Sequence, residues 1–383
     1  GTGSGIFAGS GKIEIEGHCS APLNNWPCGG VYLNFNGQAV EGSYVLESTN
    51  PAADSIVITA DTNAVNQNAM ATDRLTTIRN TSGGGFVLNT DHLRMYRWLV
   101  EGAWAQPRFS FNVTGPIVVQ PIGGSFTSTH AANWNQSNGE IQYVSIPASI
   151  RVGSVSNTAP VAVQGVHAAV GDVEFLGGSV TLAASATVRS TGTAQAAAGK
   201  VLLRGSNGEI LLNNSSVIRT KSGPVVLWSG NNMPVRILDT VTVDTTFDGA
   251  NPASAGASIF VGSGTAETVG NLEVPSGFAS SANHGVQIGA SGTSNSKLIA
   301  GAGDIRIKGQ STASSAAMAG VYMVGTGAEL RTTTGAISVE GQTTSGSTAM
   351  GAQINAALLR STDGNISVSA ATLNPASTTD ALD

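Results

Sequence analysis

Three strand-like segments recur near the end of the chain at nearly even spacing, and each directly follows a glycine. They begin at Asp304, Ala336 and Asn365, so that 32 and 29 residues separate successive starts. Each segment alternates apolar and polar residues, which is typical of a strand with one buried side and one solvent-facing side. Self-similarity at a period of 20–50 residues is the signature of a solenoid, in which stacked coils bury a continuous core.

Two further strand segments follow the first one, in the same order, in the units predicted to begin at Asn271, Asp304 and Ala336. The second starts at a glycine and the third is centred on a leucine: Gly285, Gly320 and Gly351, then Leu298, Leu330 and Leu359. Residues that favour turns, chiefly Gly, Ser, Thr, Asn and Asp, separate the segments. The pattern predicts an all-β protein, a β-solenoid with three short strands in each coil.

The repeat extends upstream, and we predict that it covers residues 151–383. First strands are predicted after glycines at Asp172, Lys200 and Pro224, with a further copy at Asn271–Val274. The segment Ser258–Val261 is a further strand candidate between the last two. Residues 1–17 contain one more copy, Gly11–Gly17, and are predicted to form a single coil of the same β-helix.

Residues 18–150 do not show the repeat and are predicted to form an irregular, β-rich insertion near the N-terminus. Most of the tryptophans and tyrosines lie there, together with both cysteines. A short helix is one possible structure for Met70–Arg79. Exposed aromatic side chains bind sugars and proteins well, and Trp26 and Trp134, which lie among turn formers, are the candidate recognition residues. The alternative is that the aromatic residues pack inside the protein.

Cys19 and Cys28 flank a short segment that contains two prolines. A ring of this size suits a disulfide-closed loop, although two unpaired thiols are the alternative. A metal site that includes His18 is disfavoured because zinc sites usually need four ligands. No metal and no cofactor are therefore expected.

The composition narrows the classes of partner. Charged residues make up 11% of the chain and the net charge is −6, without a basic patch, so nucleic-acid binding is not expected. The chain contains no run of 18 apolar residues, so no transmembrane helix is predicted.

Enzymatic function is the main alternative that the residues suggest. His284-Gly285 followed by Arg306-Ile307-Lys308 resembles elements of polygalacturonases, but the chain has no adjacent pair of aspartates to act as acid and base. The carboxylate pairs Glu14 with Glu16 and Asp172 with Glu174 are typical of solvent-facing strand positions. We therefore expect that the protein is not an enzyme.

Two stretches of the repeat resemble a known family. Residues 221–229 (KSGPVVLWS) and 361–368 (STDGNISV) are similar to the haemagglutinin repeats of filamentous-haemagglutinin-type exoproteins, the large passengers of two-partner secretion in Gram-negative bacteria. The resemblance covers residues 151–383 and, weakly, 1–17. It implies a right-handed parallel β-helix, secretion through an outer-membrane pore and an adhesive role at the bacterial cell surface.

The sequence therefore predicts an extracellular structural or adhesive protein, a segment of a long surface rod or filament that displays loops for attachment. Expected partners are a host or neighbouring-cell surface, through a glycan or protein ligand, and other rods by lateral self-assembly. A polysaccharide-processing β-helix enzyme and a phage tail spike are the alternative functions.

Overall fold

A computed structural model describes residues 4–19, 29–33, 44–62, 68–72, 76–91, 95–96, 109–135, 141–193, 199–246, 256–313, 318–344 and 349–372. These residues form 36 β-strands and no helix. The chain divides into two compact units, Gly1–Val173 (unit 1) and Glu174–Asp383 (unit 2).

The strands that begin in unit 1 are β1 Ser4–Phe7, β2 Ile13–Cys19, β3 Gly29–Leu33, β4 Tyr44–Glu47, β5 Ile56–Thr62, β6 Asn68–Thr72, β7 Thr76–Asn80, β8 Phe86–Asn89, β9 Met95–Tyr96, β10 Phe109–Val113, β11 Ile117–Gln120, β12 His130–Trp134, β13 Ile141–Tyr143, β14 Ile150–Gly153, β15 Val161–Ala169 and β16 Val173–Gly177.

Strands of unit 1 stack in parallel ladders. One ladder runs β1, β4, β7, β10 and another runs β2, β5, β8, β11, β14, while β3, β6 and β9 form a third sheet. The inward residues of the second ladder are apolar and buried, and they lie in register: Ile13, Ile56, Phe86, Ile117 and Ile150. Each coil thus buries its apolar side chains against those of the next coil.

Residues 18–150, predicted as an insertion, contain strands of these ladders. Strands β4, β5, β7, β8, β10 and β11 pair in parallel with strands of neighbouring coils, so this stretch also winds as coils. The helix suggested for Met70–Arg79 is wrong for the described residues, because 70–72 lie in β6 and 76–79 lie in β7. The domain boundaries at residues 17 and 150 stay predictions.

The strands that begin in unit 2 are β17 Val180–Leu182, β18 Thr187–Ser190, β19 Val201–Gly205, β20 Ile210–Leu212, β21 Val217–Thr220, β22 Val225–Trp228, β23 Val235–Ile237, β24 Thr242–Asp244, β25 Ile259–Val269, β26 Leu272–Gly277, β27 Ala279–Ser281, β28 Val286–Ile288, β29 Lys297–Gly301, β30 Ile305–Ser311, β31 Ala319–Val324, β32 Glu329–Thr332, β33 Ile337–Thr343, β34 Met350–Asn355, β35 Leu358–Ser361 and β36 Ile366–Thr372.

Unit 2 has three strands in each complete coil, as the repeat predicts. First strands pair in the order β19, β22, β25, β30, β33, β36. Second strands pair in the order β20, β23, β28, β31, β34, and third strands in the order β21, β24, β29, β32, β35. The prediction of a right-handed parallel β-helix is confirmed.

The predicted copy at Asn271–Val274 is wrong. These residues lie at the turn and in β26, which pairs antiparallel with β25. The first strand of this coil is instead β25, whose residues Ile259 to Val261 pair with both neighbouring coils. Two-residue alternation alone does not distinguish a coil strand from a hairpin strand, because both bury one side.

Small and hydroxylated residues form the corners between strands. The hydroxyl of Thr332 donates to the carbonyl of Gly335 at 2.6 Å, which closes the turn before β33. Within the following strand, a Cβ added at Gly341 would lie 1.9 Å from the carbonyl oxygen of Gly351. Only glycine leaves room for this approach of two backbones.

Candidate interaction surfaces

The predicted recognition residue Trp134 is fully buried, so the prediction that it forms an exposed binding surface is wrong. Side chains alternate along β12, and the same alternation that turns His130 and Ala132 inward also turns Trp134 inward. Trp26 and Cys28 lie outside the described residues, and so does the side chain of Cys19, which ends β2. The Cys19–Cys28 disulfide therefore stays a prediction.

Trp134 belongs to a cluster of polar aromatic rings inside unit 1, which we name the histidine cluster: His130, Trp134, Tyr143 and His167. The Trp134 ring centroid lies 4.9 Å from that of His167 and 5.7 Å from that of Tyr143. His130 stacks on Phe126 at 4.7 Å. The indole nitrogen of Trp134, the Tyr143 hydroxyl and both His130 nitrogens are buried, and none has a hydrogen-bond partner in the described part of the chain.

Both histidines of the cluster are held in the neutral form. Burial lowers the pKa of His130 to about 3, assisted by the nearby His167, and burial lowers the pKa of His167 to about 4. Nε2 of His167 lies 3.0 Å from the carbonyl oxygen of Gln164 and 3.3 Å from that of Ala132. Because carbonyl oxygens only accept hydrogen bonds, the proton of the neutral ring is on Nε2.

The outer face of unit 2 carries a hairpin that leaves one coil and returns to it. The strand β25 follows the coil as far as Val261 and then pairs antiparallel with β26 from Ser263 onward. The chain rejoins the coil at β27, which pairs with residues Gly309 to Ser311 of β30. Gly270, with φ of 63°, starts the two-residue turn, where a left-handed first residue matches the type II′ geometry of tight hairpins.

An apolar patch on the outer side of the sheet holds this hairpin in place. The hairpin platform consists of Leu202, Val226, Trp228 and Phe260, and Val274 of the hairpin packs on it and is fully buried. Trp228 is only 3% exposed although it is on the outer face. Burial of several large apolar side chains contributes about 1.5–3 kcal/mol each, so the hairpin is firmly seated.

Polar contacts fix the base of the hairpin. The indole nitrogen of Trp228 donates to the carbonyl oxygen of Gly264 at 3.1 Å, and the Arg204 guanidinium lies 4.2 Å above the Trp228 ring. On the other side, Nζ of Lys308 donates to the carbonyl oxygen of Ser276 at 3.2 Å. The base is thus tied to the coils on both sides.

The end of the hairpin is open to solvent. Thr268, Asn271 and Glu273 are exposed, while Val269 and Leu272 are half-buried against the platform. The hairpin therefore presents short polar side chains on a rigid base. Its sequence signal is the run of apolar residues at outward positions of neighbouring first strands, such as Val226 and Phe260, where the repeat elsewhere has polar residues.

The other groups singled out in the sequence have structural partners. The ring of His284 stacks on Tyr322 at 4.2 Å, and its Nδ1 accepts a hydrogen bond from the Ala319 amide at 3.1 Å. Arg306 pairs with Asp304 at 3.2 Å.

The described ranges bear on two expectations, one about metal ligands and one about membrane-spanning helices. They contain no group of three or more His, Cys, Asp or Glu side chains placed to hold a metal ion. They also contain no helix that is long and apolar enough to span a membrane.

These features define a class: a parallel β-helix with a hairpin clamped to its outer face. Comparison with protein-family models, curated proteins and solved structures finds no match to this chain.

Proposed function

We propose that the protein is an extracellular, structural and adhesive segment of a bacterial surface rod, and that it is not an enzyme. The observation that carries this proposal is the hairpin of unit 2, residues 263–277. It leaves a coil whose neighbours on both sides keep their parallel register, and it packs on the outer face with its polar end exposed. A stiff ladder that holds an exposed polar element on its outer face is suited to display.

The stiffness follows from the way the coils are stacked. Each first strand from β19 to β36 pairs with the next at an unchanged register, and the inward Ile and Val side chains of β19 to β33 are buried. Neighbouring coils are therefore about 4.8 Å apart, and each is held by three strands. Such an array resists bending because any bend separates backbone hydrogen bonds.

Three carboxylates of unit 2 that form ion pairs support display over hydrolysis. Among the described residues, Glu174, Glu209 and Glu340 pair with a cation at 2.9, 2.7 and 3.9 Å. Glycoside hydrolysis requires two carboxyl groups at a fixed separation across a bound sugar. Carboxylates committed to ion pairs on separate coils are poor candidates for that role.

Adhesion of coated beads tests the proposal. Beads carrying the full chain are expected to attach to cells of a panel of Gram-negative bacteria and epithelial lines more strongly than albumin-coated beads. The variant Thr268→Ala/Glu273→Ala at the hairpin end is expected to reduce attachment at least fivefold. Asp363→Ala, an exposed carboxylate away from the hairpin, is the matched control and is expected to retain attachment.

Three results would overturn the proposal. Attachment at the albumin level would exclude adhesion under these conditions. Release of reducing ends from a panel of bacterial and plant polysaccharides would identify an enzyme. A stable trimeric mass in solution would favour a tail spike.

A further inference from the structure

A row of residues on the outer face of unit 1 has charged residues of opposite sign at its two ends and apolar residues between them. Glu14, Val57, Val87, Val118 and Arg151 lie in register on five consecutive strands. The three valines are half-buried, whereas the two terminal charged residues are exposed. We name these five residues the valine row.

A second row beside it is flat and held by side-chain hydrogen bonds. Thr59, Asn89 and Gln120 lie in register on the same strands as the valines. The side-chain amide nitrogen of Asn89 donates to the Thr59 hydroxyl at 3.1 Å, and that of Gln120 donates to the side-chain oxygen of Asn89 at 2.9 Å. These bonds already order the side chains, so little of their conformational entropy is lost when a partner binds here.

We propose that this face of unit 1 binds the same face of a second copy of the chain. A two-fold axis parallel to the strands and passing by Val87 sets the two valine rows against each other in opposite directions. Val87 then meets the partner's Val87, and Glu14 meets the partner's Arg151. The interface is complementary in charge at both ends because the row begins with one sign and ends with the other.

The orientation is selected by the same charges. A two-fold axis along the ladder would instead place Glu14 against Glu14 and Arg151 against Arg151, which is unfavourable. The side chain of Arg151 makes no hydrogen bond or ion pair with any described residue. Glu14 contacts Lys12 at 3.0 Å, and Lys12 also contacts Asp54 at 2.8 Å. Exposed pairs of this kind contribute little, so Glu14 remains able to pair with a second arginine.

The size of the face indicates a weak pair. Five strands at a spacing of about 4.8 Å give a row about 19 Å long. The two rows together cover less than half of the roughly 800 Å² per partner of a standard interface. Association of single chains is therefore expected at high micromolar concentration or above, and it strengthens where many copies are held on one surface. This pairing does not depend on the display role of the hairpin.

Charge reversal tests the pairing in the full-length chain by sedimentation velocity over a concentration series. Glu14→Arg and Arg151→Glu are each expected to weaken dimerisation about tenfold, because each sets like charges against each other at both ends. The double variant restores opposite charges and is expected to return the dissociation constant to within about threefold of the original. Arg331→Glu, an exposed charge reversal in unit 2, controls for net charge.

A cysteine on the axis tests the geometry directly. Val87→Cys is expected to form a disulfide-linked dimer on mild oxidation, whereas Thr77→Cys, outward on β7 of another ladder, is not. The original chain run beside them shows any dimer that forms through Cys19 or Cys28.

The proposal is overturned if mass does not rise with concentration up to the millimolar range, or if the double reversal dimerises no better than the single variants. It is also overturned if the chain stays monomeric while Val87→Asp abolishes its retention on an insoluble neutral polysaccharide. That result would assign the face to a glycan.

Discussion

Lowering the pH from 7 to 5 is expected to destabilise unit 1 by about 4 kcal/mol through His130 and His167. Both rings are buried and neutral, with the pKa lowered by burial to about 3 for His130 and about 4 for His167. In the unfolded chain both have the ordinary value of about 6.5. Below that pH the two histidines bind protons in the unfolded chain but not in the folded protein, so protonation favours unfolding.

The magnitude follows from the separation of the two pKa values. At pH 5 each unfolded histidine lies 1.5 units below its pKa, which corresponds to about 2 kcal/mol for each ring. At pH 4 the pair costs about 6 kcal/mol, and the loss levels off only below the folded pKa values. Since natural domains have a total stability of about 5–15 kcal/mol, unit 1 is expected to approach unfolding near pH 4.

The other groups that face the two rings do not supply a compensating charge. Phe126 stacks on His130 and Trp134 contacts His167. Tyr143 contacts Trp134, and burial raises the pKa of its hydroxyl well above the usual value, so it stays neutral. A protonated His130 ring would therefore be a buried charge without an acid beside it in the described part of unit 1. That arrangement is costly.

Urea unfolding followed by circular dichroism at pH 7, 6 and 5 measures the effect. His130→Phe preserves the stack on Phe126 and removes one titrating ring, so the loss between pH 7 and 5 is expected to fall to about 2 kcal/mol. The reasoning is refuted if the original chain unfolds at the same urea concentration at pH 7 and 5. It is also refuted if His130→Phe leaves the pH dependence unchanged, or if the ring proton signals of either histidine titrate near pH 6.5.

Three further changes test the packing of unit 2. Trp228→Ala removes the centre of the hairpin platform and its bond to the hairpin, and is expected to cost about 3–5 kcal/mol, seen as faster proteolysis within the hairpin. Gly341→Ala forces a Cβ to within 1.9 Å of the Gly351 carbonyl oxygen, and is expected to lower the melting temperature markedly; an unchanged value would exclude the close approach. Thr332→Val keeps the shape but leaves the Gly335 carbonyl without its hydroxyl donor, with an expected loss of about 1–3 kcal/mol in chemical denaturation.

The coils of unit 2 could be predicted from sequence because three signals agree there. A glycine lies two residues before β19, β22, β30, β33 and β36, inward residues such as Ile305 and Ile337 alternate with polar ones, and the last three first strands start 32 and 29 residues apart. Alternation is set by backbone geometry, so it survives wherever one side of the strand is buried. The hairpin strand β26 shows the limit, since it alternates in the same way and was mistaken for a coil.

The coils of unit 1 were missed because the sequence marks their starts poorly. The first strands β2 and β5 are separated by a long connection, and glycine does not mark every start. Register is nevertheless kept, because Ile13, Ile56 and Phe86 occupy the same inward position. Parallel stacking fixes only the strands, so one long connection, between β2 and β5, can interrupt the repeat although β5, β8, β11 and β14 start 30, 31 and 33 residues apart.

The prediction for Trp134 was wrong for a related reason. Its flanking residues Asn133 and Asn135 suggest a turn, and a turn suggests exposure. The position is decided instead by alternation along β12, in which His130 and Trp134 are inward. Neutral histidine beside tryptophan within a core carries no pattern that a single sequence reveals.

Apolar residues at outward positions of this fold indicate contacts with other segments or molecules, because packing of the core does not require them there. In unit 2 the outward apolar residues Val226 and Phe260 are explained by the hairpin that covers them. In unit 1 the outward residues Val57, Val87 and Val118 stay half-exposed, and their covering partner is not among the described residues of that unit. An apolar stripe that water must wet is costly to keep. The hairpin covers the platform of unit 2, whereas no described segment covers the valine row. This difference supports the proposal that a second molecule covers the face of unit 1.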